Sequence, residues 1–144
     1  MRVGLKRAYE RATASDGTRV LVDRLWPRGL TKDAVRLDAW LKEIAPSDAL
    51  RKWFHANPAG WSKFREKYLA ELRSDAAQNA LHALHELREN HARLTLLFAS
   101  KNTERNNALV LKELLDGERK PPKGTGPARA AASGLKQARA ARRR

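Results

Sequence analysis

With 144 residues the chain has room for one domain with a single hydrophobic core, and its 42% apolar content is that of a soluble globular protein. The absence of cysteine excludes disulfides, thiolate catalysis and cysteine-based zinc sites, and it fits a reducing cytoplasm. A net charge of +14 points to anionic partners, but residues 119–144 carry nine bases and no acid, so most of the excess is concentrated there.

In chain order, Val3 to Lys6 reads as a first short strand, and Ser15-Asp16-Gly17 supplies a turn before a second, Arg19 to Asp23. The segment Val35 to Ile44 is ambiguous. Val35, Leu37, Ala39 and Leu41 alternate like a strand, whereas Leu37, Trp40, Leu41 and Ile44 step like a helix, and the balance leans to helix. Pro46-Ser47 caps a helix carrying Leu50, Trp53 and Phe54, and Trp61, Phe64, Tyr68 and Leu72 form the stripe of the next. A third stripe, Leu81, Leu84 and Leu87, opens with Asp75 and Gln78 as a capping box. Leu94 to Ala99 is a continuously apolar strand of the kind found in sheets covered on both faces, and it is far too short to cross a bilayer. A last helix with Ala108, Leu111 and Leu115 is expected to begin at Asn102-Thr103.

Strands separated by helices predict an α/β fold over residues 1–117: a small, mainly parallel sheet of about three strands flanked by helices, with right-handed crossovers. Beyond it the composition turns to Gly, Pro, Ala, Lys and Arg, and residues 118–144 read as a disordered basic tail that cannot bury enough surface to offset its ordering entropy. The opening Met1-Arg2-Val3-Gly4-Leu5-Lys6 reaches charge too early for a signal peptide, so the protein is expected to remain in the cytoplasm, away from membranes.

Ligands of parallel sheets sit at the carboxyl ends of the strands. All three predicted strands end in charge there: Lys6-Arg7, Asp23-Arg24 and Ser100-Lys101-Asn102. The run Val22-Asp23-Arg24-Leu25-Trp26-Pro27-Arg28-Gly29 is the sharpest case, because buried charges at a strand end need partners or water. The expected rim gathers Lys6, Asp23, Arg24, Arg28 and Lys101, and a helix starting at Thr103 would add its N-terminal dipole. Arg24 and Arg28 would grip a phosphate or carboxylate, Trp26 and Trp40 would wall the pocket, and Asp23 would orient an arginine or accept a proton. The competing reading is a salt-bridge network in which Asp23 and Glu43 neutralise the arginines and the tryptophans fill the core. His55, after Trp53-Phe54, is the other candidate acid or base. His82 and His85 lie one helical turn apart without an obvious third ligand, so neither a metal nor a cofactor is predicted.

These residues resemble the YeaO-like family of small bacterial proteins of unknown function. The resemblance rests on Leu21 to Gly29, on Trp40-Leu41-Lys42-Glu43-Ile44-Ala45-Pro46-Ser47, on Leu50 to Phe54, on Trp61, Phe64, Arg65 and Tyr68, and on Thr95 to Lys101 with Asn106-Asn107-Ala108. It covers residues 1–116, implies the α/β fold and the rim, and adds Asn106 to the ligand-binding candidates without implying a reaction. Two positions depart from the family pattern: the histidine near Asn57-Pro58 comes one place early, at His55, and Arg105 stands where a histidine often precedes the last helix. The expected function is binding of an anionic small molecule or nucleotide at the rim. The alternatives are an enzyme acting on a phosphorylated or nucleotide-like substrate through Asp23 or His55, and a nucleic-acid accessory module in which residues 119–144 make nonspecific contacts.

Overall fold

The computed structural model describes residues 3–118. Four strands, β1 (Val3–Arg7), β2 (Thr18–Leu21), β3 (Ala39–Trp40) and β4 (Leu94–Phe98), form one sheet in the order β1-β4-β2-β3, with every neighbouring pair parallel. Five helices accompany them: α1 (Lys32–Val35), α2 (Asp48–Ala56), α3 (Trp61–Glu71), α4 (Asp75–Asn90) and α5 (Asn107–Glu118). Residues up to Glu113 form one compact unit. None of the described helices is long and apolar enough to cross a membrane.

The central position of β4 explains its composition. Flanked by β1 and β2 and covered on both faces, all five of its residues are buried, and polarity on either face would lack water. Alternation then divides the sheet. Lys6, Thr95, Leu97, Arg19 and Leu21 share one face, where Ala8, Leu21, Leu97 and Val35 make a cluster covered by Trp26, Leu30, Leu37 and Trp40. On the opposite face Val3, Val20, Leu94, Leu96 and Phe98 are buried. The strand order sets the path of the chain: β1 to β2 and β2 to β3 advance in one direction across the sheet, and β3 returns to β4 in the opposite direction through α2, α3 and α4. Those helices bring the buried Leu50, Phe64, Tyr68, Leu81 and Leu84.

The structure corrects three sequence expectations. Helix does not prevail between Val35 and Ile44: α1 stops at Val35, Arg36 takes a left-handed conformation (φ 51°), and Ala39–Trp40 pairs with Val20–Leu21 as a fourth strand. Long-range pairing overrides the local period there, because the open edge of β2 offers partners; the Asp38 N–H donates to the Arg19 carbonyl at 2.8 Å and the Leu41 N–H to the Leu21 carbonyl at 3.0 Å. Helix α4 is capped one residue earlier than the proposed box, by Ser74, whose hydroxyl accepts from the Ala77 N–H, and Gln78 instead donates to the Leu72 carbonyl. Helix α5 begins at Asn107 rather than near Thr103, since the Asn102 side chain turns the chain by accepting from the N–H groups of Glu104 and Arg105. The Leu94 strand, the three middle helices and the parallel α/β class stand as expected. The predicted tail, 118–144, lies almost entirely outside the described residues.

On the Lys6 face the sheet carries a buried ion cluster. Asp16 accepts from Lys6 at 3.0 and 3.1 Å, from the Thr13 N–H and hydroxyl at 3.0 Å each, and from the Arg19 guanidinium, whose Nε donates to the Val35 carbonyl at 2.9 Å. Gly17 lets the chain turn from this cluster into β2: its φ is +66°, and a Cβ there would lie 2.5 Å from the Arg93 carbonyl oxygen. Burial raises the Asp16 pKa, but the Thr13 N–H, Lys6, the Thr13 hydroxyl and Arg19 outweigh it and bring the value from 3.8 down to about 2. A folded-state pKa below the unfolded one confers stability that is present above pH 3.8 and is lost as pH falls towards 2, here roughly 2 kcal/mol. Asp16→Asn should therefore lower the urea midpoint at pH 7 and flatten the acid limb of a stability–pH curve; an unchanged acid limb would remove Asp16 as its source.

Candidate functional site

At the carboxyl end of β2, Asp23 sits between strand and helix. Its Oδ2 accepts the Ala99 N–H at 2.8 Å, just past β4, and its Oδ1 accepts the Asn107 side-chain amide at 3.1 Å, at the start of α5. The same amide nitrogen donates to the Val22 carbonyl at 3.0 Å, and the Trp40 indole N–H donates to the Asp23 carbonyl at 2.7 Å. One residue thus fastens the ends of β2, β3 and β4 and the first turn of α5. Burial pushes the Asp23 carboxyl above its usual pKa, and the Ala99 N–H, the Asn107 amide and the charge of Arg51 recover only part of the shift. Asp23 orients neither Arg24 nor Arg28, because both of its oxygens are directed to these inward donors.

Arg24 turns away from the strand end towards the loop after β3. It donates to the Ala45 carbonyl at 3.1 Å and to that of Pro46 at 3.4 Å, with Glu43 at 3.9 Å, and it borders a cleft of about 320 Å³ that Glu43, Ser47, Glu71 and Ser74 also line. The cleft is mixed in charge rather than cationic, and Glu71 is already engaged, accepting from the Ser47 N–H at 2.8 Å and hydroxyl at 2.6 Å. Trp26 and Trp40 meet edge to face, 5.4 Å between centroids, with both indole N–H groups satisfied, that of Trp26 by the Leu30 carbonyl at 2.7 Å. Both rings are partly buried against the Ala8, Leu21, Leu97, Val35 cluster.

Arg28 and Lys101 are exposed, and neither side chain has an acidic partner among the described residues. A continuous series of contacts runs between their segments. Arg7 donates to the Ser100 and Ala99 carbonyls at 2.9 Å each and lies 4.8 Å above the Tyr9 ring, and the Tyr9 hydroxyl donates to the Arg28 carbonyl at 2.9 Å. Sequence reasoning overlooked Tyr9; its only signal was position, a lone aromatic just beyond a strand's carboxyl end. Asn107 was equally unmarked as the partner of Asp23.

The other candidates lie elsewhere. Lys6 points along the sheet face to Asp16. Asn106 is buried as a helix cap, its side chain accepting from the Leu109 N–H and donating to the Asn102 carbonyl at 2.9 Å each. His55 is exposed in the last turn of α2, and the structure joins it to none of the strand-end groups. His82 pairs with Glu86 at 3.5 Å on α4. Among the described residues no group of three potential metal ligands comes together.

Comparison with known proteins places this arrangement in a family. Residues 2–133 match the family described as the inactive DUF488-N3 subclade. The chain belongs to that family. It is 47% identical over 115 residues to the uncharacterized protein YeaO of Escherichia coli, an alignment covering 80% of this chain and 97% of that protein. It is also 42% identical over 118 residues to an uncharacterized protein of Mycobacterium tuberculosis strain H37Rv, covering 81% and 95%. The YeaO-like resemblance is therefore correct, and the family match runs past residue 116, where the resemblance was expected to end. No solved structure matches the chain significantly.

The Asp23 contacts generate a direct expectation. Asp23→Asn directs an N–H₂ at one of two groups that are themselves donors, so either Ala99 or Asn107 loses its partner; stability should fall by about 1–3 kcal/mol in urea denaturation. A neutral result would mean that the carboxylate does not hold the strand ends together.

Proposed function

We propose that this chain is a non-catalytic binding protein whose anionic ligand is held at the carboxyl-end rim of the sheet, with Arg28 and Lys101 as the contacts. The observation carrying this reading is the fate of the carboxylate there: Asp23 is directed inward to two donors, while Arg28 and Lys101 face solvent without acidic partners among the described residues. An ordered rim with unbalanced outward cations attracts anions at little reorganisation cost. Arg7 and Arg24 contribute positive potential from within the rim, although their donors serve carbonyl groups. The enzyme alternative is weaker. Both Asp23 oxygens already serve inward donors, His55 has no orienting partner among the described residues, and the family is described as inactive. Residues 119–144 add loose affinity for polyanions in this reading, and the cysteine-free composition supports a cytoplasmic setting.

The test is a thermal-shift titration of the full chain with inorganic tripolyphosphate. Arg28→Ala/Lys101→Ala should abolish most of the ligand-induced shift while leaving the unliganded Tm within about 2 °C, as expected for exposed side chains. A full shift in the double variant would move the binding away from the rim.

A further inference from the structure

Two large apolar side chains are exposed among the described residues, Tyr9 at 41% and Leu25 at 58%, and both follow carboxyl ends of strands. Tyr9 is exposed without being loose. Its hydroxyl is tied to the Arg28 carbonyl at 2.9 Å, and one ring face carries the Arg7 guanidinium at 4.8 Å, which is itself anchored on the Ala99 and Ser100 carbonyls beside Lys101. The resulting order along the rim is Lys101, Arg7, Tyr9, Arg28: an oriented aromatic ring between cations.

That pattern matches the repeat of a particular polymer. A nucleic-acid strand alternates phosphate with a flat base, and single-strand binding surfaces combine cations that follow the backbone with aromatic rings on which bases stack. A small free nucleotide would need a concave site to bury it, yet neither the cleft lined by Gly60, Lys63 and Glu66 nor the one beside Arg24 includes Tyr9, Arg28 or Lys101. An open rim suits a chain that passes across it. The sequence adds nine unopposed bases in residues 119–144, which raise the local affinity for a polyanion. Duplex offers Tyr9 no free base face, because its bases are already stacked and paired.

We propose that Tyr9 is a stacking platform for an unpaired base of single-stranded nucleic acid, with Arg28 and Lys101 contacting phosphates on either side. The inference rests on the anion-binding reading of the rim and specifies its ligand. Binding is sequence-tolerant, since every base has a π-face.

The experiment is fluorescence anisotropy of the full chain with labelled oligothymidylate, using inorganic polyphosphate and polyglutamate as anionic competitors without bases. Tyr9→Ala should weaken oligothymidylate binding about tenfold and leave both the polyphosphate affinity and the salt slope unchanged. Tyr9→Leu, which keeps apolar bulk but no aromatic face, should behave in the same way, and Tyr9→Phe should retain most of the binding. Arg28→Ala/Lys101→Ala should weaken both oligothymidylate and polyphosphate and reduce the logarithmic salt slope by about 1.4, the effect of two single-strand phosphate contacts. If the Tyr9 variants bind oligothymidylate like wild type while the double variant loses both probes, the rim binds anions but the stacking platform is overturned. If polyglutamate competes as well as polyphosphate and oligothymidylate together, the ligand is an acidic polypeptide and the nucleic-acid inference fails. If no variant changes either probe, the anion-binding reading fails with it.

Discussion

The contact on which the site depends is the partly buried carboxylate of Asp23. In a parallel sheet the chain leaves every strand at the same edge, so the loops there have no hairpin to hold them and need cross-links of another kind. Asp23 provides them through the Ala99 N–H, the Asn107 amide and, by its own carbonyl, the Trp40 indole. A neutral amide of similar shape accepts at only one of its two terminal atoms, whereas a carboxylate accepts at both. The cost is desolvation, visible as the upward displacement of its pKa.

The cations of the fold separate according to what their donors meet. Lys6 and Arg19 share Asp16 on the sheet face, so two positive charges are held by one carboxylate in a buried network. Arg7 and Arg24 have their guanidinium groups on backbone carbonyls, where several fixed N–H donors suit them better than a lysine would. Arg28 and Lys101 remain outward. Net charge alone does not identify a binding surface; only the cations left without an internal acceptor can serve a ligand.

A family described as inactive fits such a rim. Its acidic group braces strand ends, and Ser47, which lines the cleft, is both the N-cap of α2 and a donor to Glu71. Among the groups facing outward are the cations Arg28 and Lys101 and the oriented ring of Tyr9. On the proposed reading these groups serve recognition rather than reaction.

Much of this molecule was determined by local sequence. The run from Leu94 to Phe98, apolar but for Thr95, fits a strand covered on both faces, and the stripe Trp61, Phe64, Tyr68 with Leu72 fits a helix laid on a hydrophobic layer. Asp23, Arg24 and Trp40 were recognisable as unusual because charges and indoles at a strand end must find partners. Which partners they find was settled only by the tertiary structure. Asp23 meets Asn107 across 84 residues of chain, Lys6 turns to Asp16 rather than to the rim, and Ala39–Trp40 becomes a strand because the edge of β2 was open beside it. Hydrogen bonds between distant segments leave no periodic trace in either one. Periodicity records which face of an element is buried, but the identity of the group opposite depends on how the crossovers stack the elements in space.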